Sequence, residues 1–168
     1  MKKVMFIAVM AMCMLAFVSA QNVEKICNVL PSKDGKVFYT EVINTEGVSS
    51  KELYANTKIW IANTFKSAKS VIQSDVEGVS IVIKGRLSYV TDGDSPFTLT
   101  VQFRDGRYRY ELTDLIMDMN VAGRSIVYPI ENAPFIKECN MNSLKKYNDF
   151  IVSFISKLKE GASVSNDW

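Results

Sequence analysis

The clearest pattern in this chain is an alternation of apolar and polar residues. Val79, Ile81, Ile83, Leu87 and Tyr89 fall on one side of an extended strand, and Ser80, Lys84, Arg86 and Ser88 on the other, with Val82 the apolar exception. After a turn cluster at 91–96 the alternation returns, with Phe97, Leu99, Val101 and Phe103 on the inward side. Asp105-Gly106 then predicts a two-residue hairpin of type I′. That loop pairs Arg104 with Arg107, Phe103 with Tyr108, Val101 with Tyr110 and Leu99 with Leu112, so all the apolar partners share one face. A three-residue loop would set Phe103 against Arg107, which the hydrophobic pattern rejects. The tyrosines and arginines of "VQFRDGRYRYEL" therefore belong to opposite faces of a sheet.

Elsewhere the period lengthens to that of a helix. Leu53, Thr57, Trp60, Ile61, Thr64 and Phe65 make one stripe over about 50–66, and Ser49 with Glu52 fits a capping box. A second stripe, Leu144, Tyr147, Ile151, Phe154, Ile155 and Leu158, predicts a helix over about 143–159, with Asn142 or Ser143 as N-cap and Gly161 as stop. "KVFYTEVI" at 36–43 reads as a strand and "SVIQSD" at 70–75 as a short one. The segment after Thr113 continues the sheet and turns at Gly123 into an edge piece that Pro129 ends. The order is strand, helix, a run of antiparallel strands, helix. It predicts a two-layer α+β domain, with a sheet of about five to six strands and both helices on the face of Ile81, Leu99, Tyr108 and Tyr110. Residues 21–35 read as a lead-in, 36–160 as the domain and 161–168 as a flexible tail.

The residues "SSKELYANTKIWIANTFKSAKSVIQSDVEG", a "GR" or "GK" in the next strand, and "FTLTVQFRDGRYRYELTDL" resemble a bacterial secreted domain of unknown function described as having a TBP-like fold, named for the TATA-binding protein. The resemblance covers about residues 36–160. It implies a curved antiparallel sheet with helices on one side. That family is frequent in Gram-negative gut bacteria and has no assigned catalytic residues, so none is carried over. A fold's name does not import DNA binding.

Composition narrows the setting. Lys2 and Lys3 precede an uncharged apolar run from Val4 to Val18, and small residues at Val18 and Ala20 precede Gln21: the pattern of a secretory signal peptide over 1–20. Export to the periplasm, cell surface or exterior is the expectation. The remaining chain has no segment long enough for a transmembrane helix. The full chain carries 20 Lys+Arg against 18 Asp+Glu. Removal of the two lysines of the leader brings it to zero net charge, so nucleic acid is not an expected partner and any basic function must be local. Two cysteines then remain, Cys27 and Cys139. In an exported chain they are candidates for a disulfide, or else two separate thiols. There is no histidine, which excludes a Ser-His-Asp triad, a Cys-His pair and histidine metal ligation. No cofactor and no metal are expected.

The helix-free face would display Lys84, Arg86, Gln102, Arg104, Arg107 and Arg109, with Lys84, Gln102 and Arg109 expected across neighbouring strands. Directly opposed arginines at 104 and 107 are unfavourable, and a bound anion, an acidic partner or Asp105 would answer them. The functional expectation is a non-catalytic binding module that offers this face to an anionic glycan, a lipid headgroup or an envelope protein. The bland alternative is a solvated face. A structural or oligomerising envelope protein is the second reading. A carboxylate-dependent hydrolase using Glu111, Asp114 and Asp118 comes last, since turn and edge carboxylates are ordinarily solubilising.

Overall fold

A computed structural model describes residues 24–90 and 93–163. The signal peptide expected over 1–20 and the end of the expected tail, 164–168, lie outside the described residues. Ten strands, β1 (Glu24–Ile26), β2 (Leu30–Lys33), β3 (Lys36–Val37), β4 (Tyr39–Asn44), β5 (Ile72–Val76), β6 (Ser80–Val90), β7 (Gly93–Arg104), β8 (Arg107–Thr113), β9 (Ile116–Val121) and β10 (Arg124–Pro129), are interrupted by helices. The helices are α1 (Ser50–Thr64), the short α2 (Ala68–Val71) and α3 (Pro134–Lys137), and the long α4 (Met141–Ala162). A 3-10 turn, Ile130–Asn132, precedes α3.

Strands β4–β10 form one seven-stranded antiparallel sheet, larger than the five or six strands expected. The extra strand comes from a break at Asp114, whose φ of +50° bends the chain so that β8 and β9 run along the same edge of β7 in succession. Strand β4 covers β8 and β10 covers β9, while β5 and β6 complete the other side. The expected register is observed: Arg104 pairs with Arg107, Phe103 with Tyr108, Val101 with Tyr110 and Leu99 with Leu112.

The turn itself differs from expectation. A type I′ turn needs positive φ at both central residues, and here only Gly106 has it, at +73°. The tip is held from outside: Gly106 N–H donates to Val48 O and Thr45 N–H to Gly106 O, each at 2.8 Å. Docking on the β4–α1 loop, rather than the turn's own preference, fixes the backbone here.

Helices α1 and α4 pack on each other and on one face of the sheet. Phe97 meets Phe154 at 5.1 Å between ring centroids, Tyr89 meets Tyr147 at 5.2 Å, and Trp60 lies between Phe65 and Phe154. Ile81, Ile83, Leu99, Val101, Tyr108, Tyr110 and Leu112 are buried beneath them with Leu53, Ile61, Leu144, Ile151 and Leu158. Two positions of the predicted stripes are corrected. Val79 is 56% exposed because it belongs to the turn before β6. Thr64, in the last turn of α1, is also exposed. Helix α4 is longer than expected, starting after an Asn140 cap that accepts from Ser143 N–H at 3.2 Å and continuing past Gly161. Gly161 is not a stop but a close approach: a Cβ there would lie 2.4 Å from the Trp60 ring.

Residues 24–37, most of them read as a lead-in, fold as a small antiparallel sheet in the order β1-β2-β3. Cys27 and Cys139 are joined by a disulfide with a Cα separation of 5.6 Å, and the bond ties this small sheet to the α3–α4 junction. Glu131 accepts the Val37 N–H at 2.8 Å and so links the small sheet also to the 3-10 turn before α3. Among the described residues no helix is long and apolar enough to cross a membrane.

Candidate functional site

Among the described residues no helix covers the outer face of the sheet, and the register decides which polar residues meet there. On the rung nearest the hairpin tip, Asn44, Arg107 and Arg104 lie side by side on β4, β8 and β7. The next outward rung holds Val42, Arg109, Gln102 and Ser80. Val42, Gln102, Arg104, Arg107 and Arg109, with Tyr108, line a hollow of about 280 Å³.

Lys84 is not part of this cluster. It pairs with Thr98, four residues along β7 from Gln102, roughly 14 Å away at strand spacing. The expected row of Lys84, Gln102 and Arg109 is therefore corrected, with Ser80 taking the place of Lys84. The sequence could not place β6 against β7, because alternation fixes which face a residue takes but not its position along the partner strand, and the observed register sets Ser80 on Gln102 and Lys84 on Thr98.

Lys84 and Arg86 sit instead in a wider hollow of about 710 Å³ with Val71, Pro96, Thr98, Asp114 and Ile116. There Arg86 is already engaged: its Nη1 lies 2.8 Å from Asp118 and 3.8 Å from Asp94. Asp94 and Asp118 face each other across β7 and β9. The Arg86 hydrogen bond, helped by one from Ser125, holds the Asp118 carboxyl below its ordinary range. These two carboxylates hold a guanidinium between them. The carboxylate pairing considered from sequence, Asp114 with Asp118, does not form on one face, since Asp114 occupies the bend between β8 and β9. Asp94 entered the sequence reading only as part of a turn, because its partner strand lies 24 residues further on. Among the described residues no three His, Cys, Asp or Glu side chains gather as metal ligands.

At the hairpin tip the charges are answered differently. Arg109 donates to the Gln102 side-chain oxygen and pairs with Glu111 at 3.3 Å. Arg104 and Arg107 have no ion pair among the described residues. The adjacent carboxylate, Asp105, accepts a hydrogen bond from Ser50 N–H at 2.8 Å, at the start of α1. That backbone bond lowers its pKa and commits it to the helix end. The two opposed arginines are thus left with a hollow, a glutamine and an exposed Val42 beside them.

On the helix side, Glu41 accepts from Tyr110 Oη at 3.1 Å and from Lys159, and Tyr39 donates to Asn148 at 3.1 Å. The Tyr110 bond ties β8 to β4, and the Lys159 and Asn148 bonds fasten β4 to α4. The buried Ser95–Tyr147 bond, 3.0 Å, does the same for β7.

Residues 39–117 match the model of a family described as a domain of unknown function (DUF4468) with TBP-like fold. This is narrower than the 36–160 over which the sequence resembles such a family. Two solved structures are similar over more of the chain. A TBP-like protein from Parabacteroides distasonis ATCC 8503 covers 83% of this chain and 99% of its own, with a TM-score of 0.65 and 16% identity. A DUF4468 family protein from Bacteroides ovatus ATCC 8483 covers 83% and 93%, with a TM-score of 0.61 and 16% identity. At that identity the likeness is one of fold. No curated protein matches the chain.

Proposed function

We propose that this chain, which carries a DUF4468 domain with a TBP-like fold over residues 39–117, is an exported, non-catalytic binding module whose uncovered sheet face takes an anionic ligand. The observation that supports this most is the pairing of Arg104 with Arg107 on that face while Asp105 turns away to Ser50. Like charges set directly opposite are unfavourable by roughly 0.2–1 kcal/mol, and a bound anion reverses that sign. Glu111 and Asp118 meet Arg109 and Arg86, so the remaining uncompensated positive charge on this face gathers at the tip and at Lys84. The test is an Arg104→Glu, Arg107→Glu variant on arrays of acidic glycans and lipids. Loss of a wild-type signal with an unchanged circular dichroism spectrum is the expected result. A folded variant that retains every wild-type signal would remove the proposal.

A second reading, self-association, draws on β10. This edge strand pairs with β9 over six residues without a bulge, and leaves Ile126 and Val127 exposed on opposite faces. Long apolar edges invite another strand. By contrast β5 is bulged and charged at Asp75. Under this reading wild-type protein sediments as a dimer, and Val127→Lys, which adds an edge charge, returns it to monomer. Monomeric wild type at high concentration would exclude it.

A further inference from the structure

We infer that the hairpin-tip hollow is a binding site for a phosphate monoester, with Arg104 and Arg107 as its two forks. This rests on the anionic-ligand reading of the same face and adds the chemistry of the ligand. Three features of the hollow select that group. First, Arg104 and Arg107 are direct cross-strand partners, so their Cα atoms are roughly 4.5–5.5 Å apart and both guanidinium groups reach one small anion. A carboxylate has two oxygens, and one arginine fork satisfies both in a bidentate pair. The second arginine would then remain unanswered. A phosphate monoester presents three terminal oxygens and carries about −1.5 to −2 charge near neutral pH, enough to meet two guanidinium groups together.

Second, the surrounding groups act as donors. Gln102 accepts from Arg109 through its oxygen, which leaves its NH2 group as a further donor beside the forks. Arg109 itself is shared with Glu111, so it adds hydrogen bonds with little net charge. Third, the hollow, about 280 Å³, lies just below the roughly 300–1,000 Å³ of drug-sized ligand sites, and Val42, 51% exposed, forms an apolar wall. That shape takes a charged head and the first atoms of its carrier rather than a length of polymer.

Glucose 6-phosphate and glucuronate provide the test, since they present a phosphate monoester and a carboxylate on rings of the same size. In calorimetric titrations of wild-type protein, glucose 6-phosphate should bind at least tenfold tighter than glucuronate. The Arg104→Gln, Arg107→Gln variant should lose at least tenfold for the phosphate. Arg104→Lys, Arg107→Lys keeps the charge but not the forks, and should lose most of the preference between the two ligands. Affinities within twofold of each other in wild type, both weakened by the glutamine variant, would overturn the phosphate assignment and leave the anionic-ligand reading standing. No binding of either by folded protein would overturn the assignment, and silence on the acidic arrays as well would remove both. Vesicles of phosphatidic acid in phosphatidylcholine carry the same group on a lipid. Retention there that glucose 6-phosphate competes away places the ester on a lipid surface, and binding of the sugar phosphate without retention places it on a soluble carrier. Both outcomes support the site.

Discussion

Asp105, at the tip of the β7–β8 hairpin, accepts a hydrogen bond from the backbone N–H of Ser50 at 2.8 Å, so the hairpin caps a helix 55 residues earlier in the chain. Ser49 accepts the Glu52 N–H of the same first turn at 3.2 Å. Two of the orphan donors of α1 are therefore met, one from a local and one from a distant side chain. The distant bond also lowers the Asp105 pKa. A depressed carboxylate pKa adds stability above its unfolded value, near 3.9, and the contribution is lost as pH falls through the folded value. Asp105→Ala should lower the melting temperature at pH 7 and flatten its decline between pH 5 and pH 3. Asp105→Asn, which still accepts, should fall between the two. An unchanged melting curve for the alanine variant would show the cap to be energetically silent.

Alkali should unfold the protein through its tyrosines. Burial pushes the Tyr108 hydroxyl up to about 12, and burial raises Tyr39, Tyr110 and Tyr147 further still. A group whose folded pKa is raised keeps its stability contribution below the unfolded value, about 10, and loses it as pH rises toward the folded one. Each unit of difference corresponds to about 1.4 kcal/mol between the two states. Stability should therefore fall steeply above pH 10, and the tyrosinate absorbance of these four residues should appear together with the loss of far-ultraviolet dichroism. A gradual titration of all seven tyrosines before unfolding would contradict the burial seen here.

Gly161 lets α4 lie against the Trp60 ring, and a methyl group has no room there. Overpacking of this kind costs about 1–3 kcal/mol. Gly161→Ala should lower the unfolding free energy by that amount, read as a lower urea midpoint with an unchanged slope, although alanine is the better helix former. Combining it with Trp60→Leu should cost less than the sum of the two single changes, because removing the ring frees the space the methyl needs. Additive effects would mean that the two residues are not in contact.

The Cys27–Cys139 bond closes a loop with a sequence separation of 112 residues. Constraining a loop of that length in the unfolded chain contributes about 4–5 kcal/mol in the chain-entropy model. Cys27→Ser with Cys139→Ser should lower stability by about 2–5 kcal/mol, read from guanidinium unfolding. The denaturant slope should rise, as the freed chain exposes more surface. A variant as stable as wild type would reduce the bond to an accessory of the Glu131–Val37 contact.

The local periodicities were sufficient for the inner face. Alternation in β6 and β7 and the register around Asp105-Gly106 placed Phe103 with Tyr108 and Val101 with Tyr110, because a one-residue slip would turn every apolar side chain to water. The three- and four-residue spacing did the same for Leu53, Trp60 and Ile61 and for the buried stripe of α4. Those constraints are local, and each residue carries its own evidence of burial. The family resemblance was legible for the same reason, being carried by that helix and that hairpin.

Tertiary structure decided what depends on contacts between distant segments. The bend at Asp114 splits one expected strand into two and brings Asp94 against Asp118, which neutralises Arg86. The register of β6 on β7 sets Lys84 against Thr98, away from the arginines. Gly161 became a contact rather than a stop because Trp60, a hundred residues before it, occupies the space beside it. Most directly, sequence alone listed Asp105 among the charges able to answer Arg104 and Arg107. Only the docking of the hairpin on α1 removed it from that role, because the unfilled N–H of Ser50 lies within hydrogen-bond reach of its carboxylate. Hydrophobic pattern fixes the face on which a side chain lies, and the packing of remote elements fixes the partners it finds there.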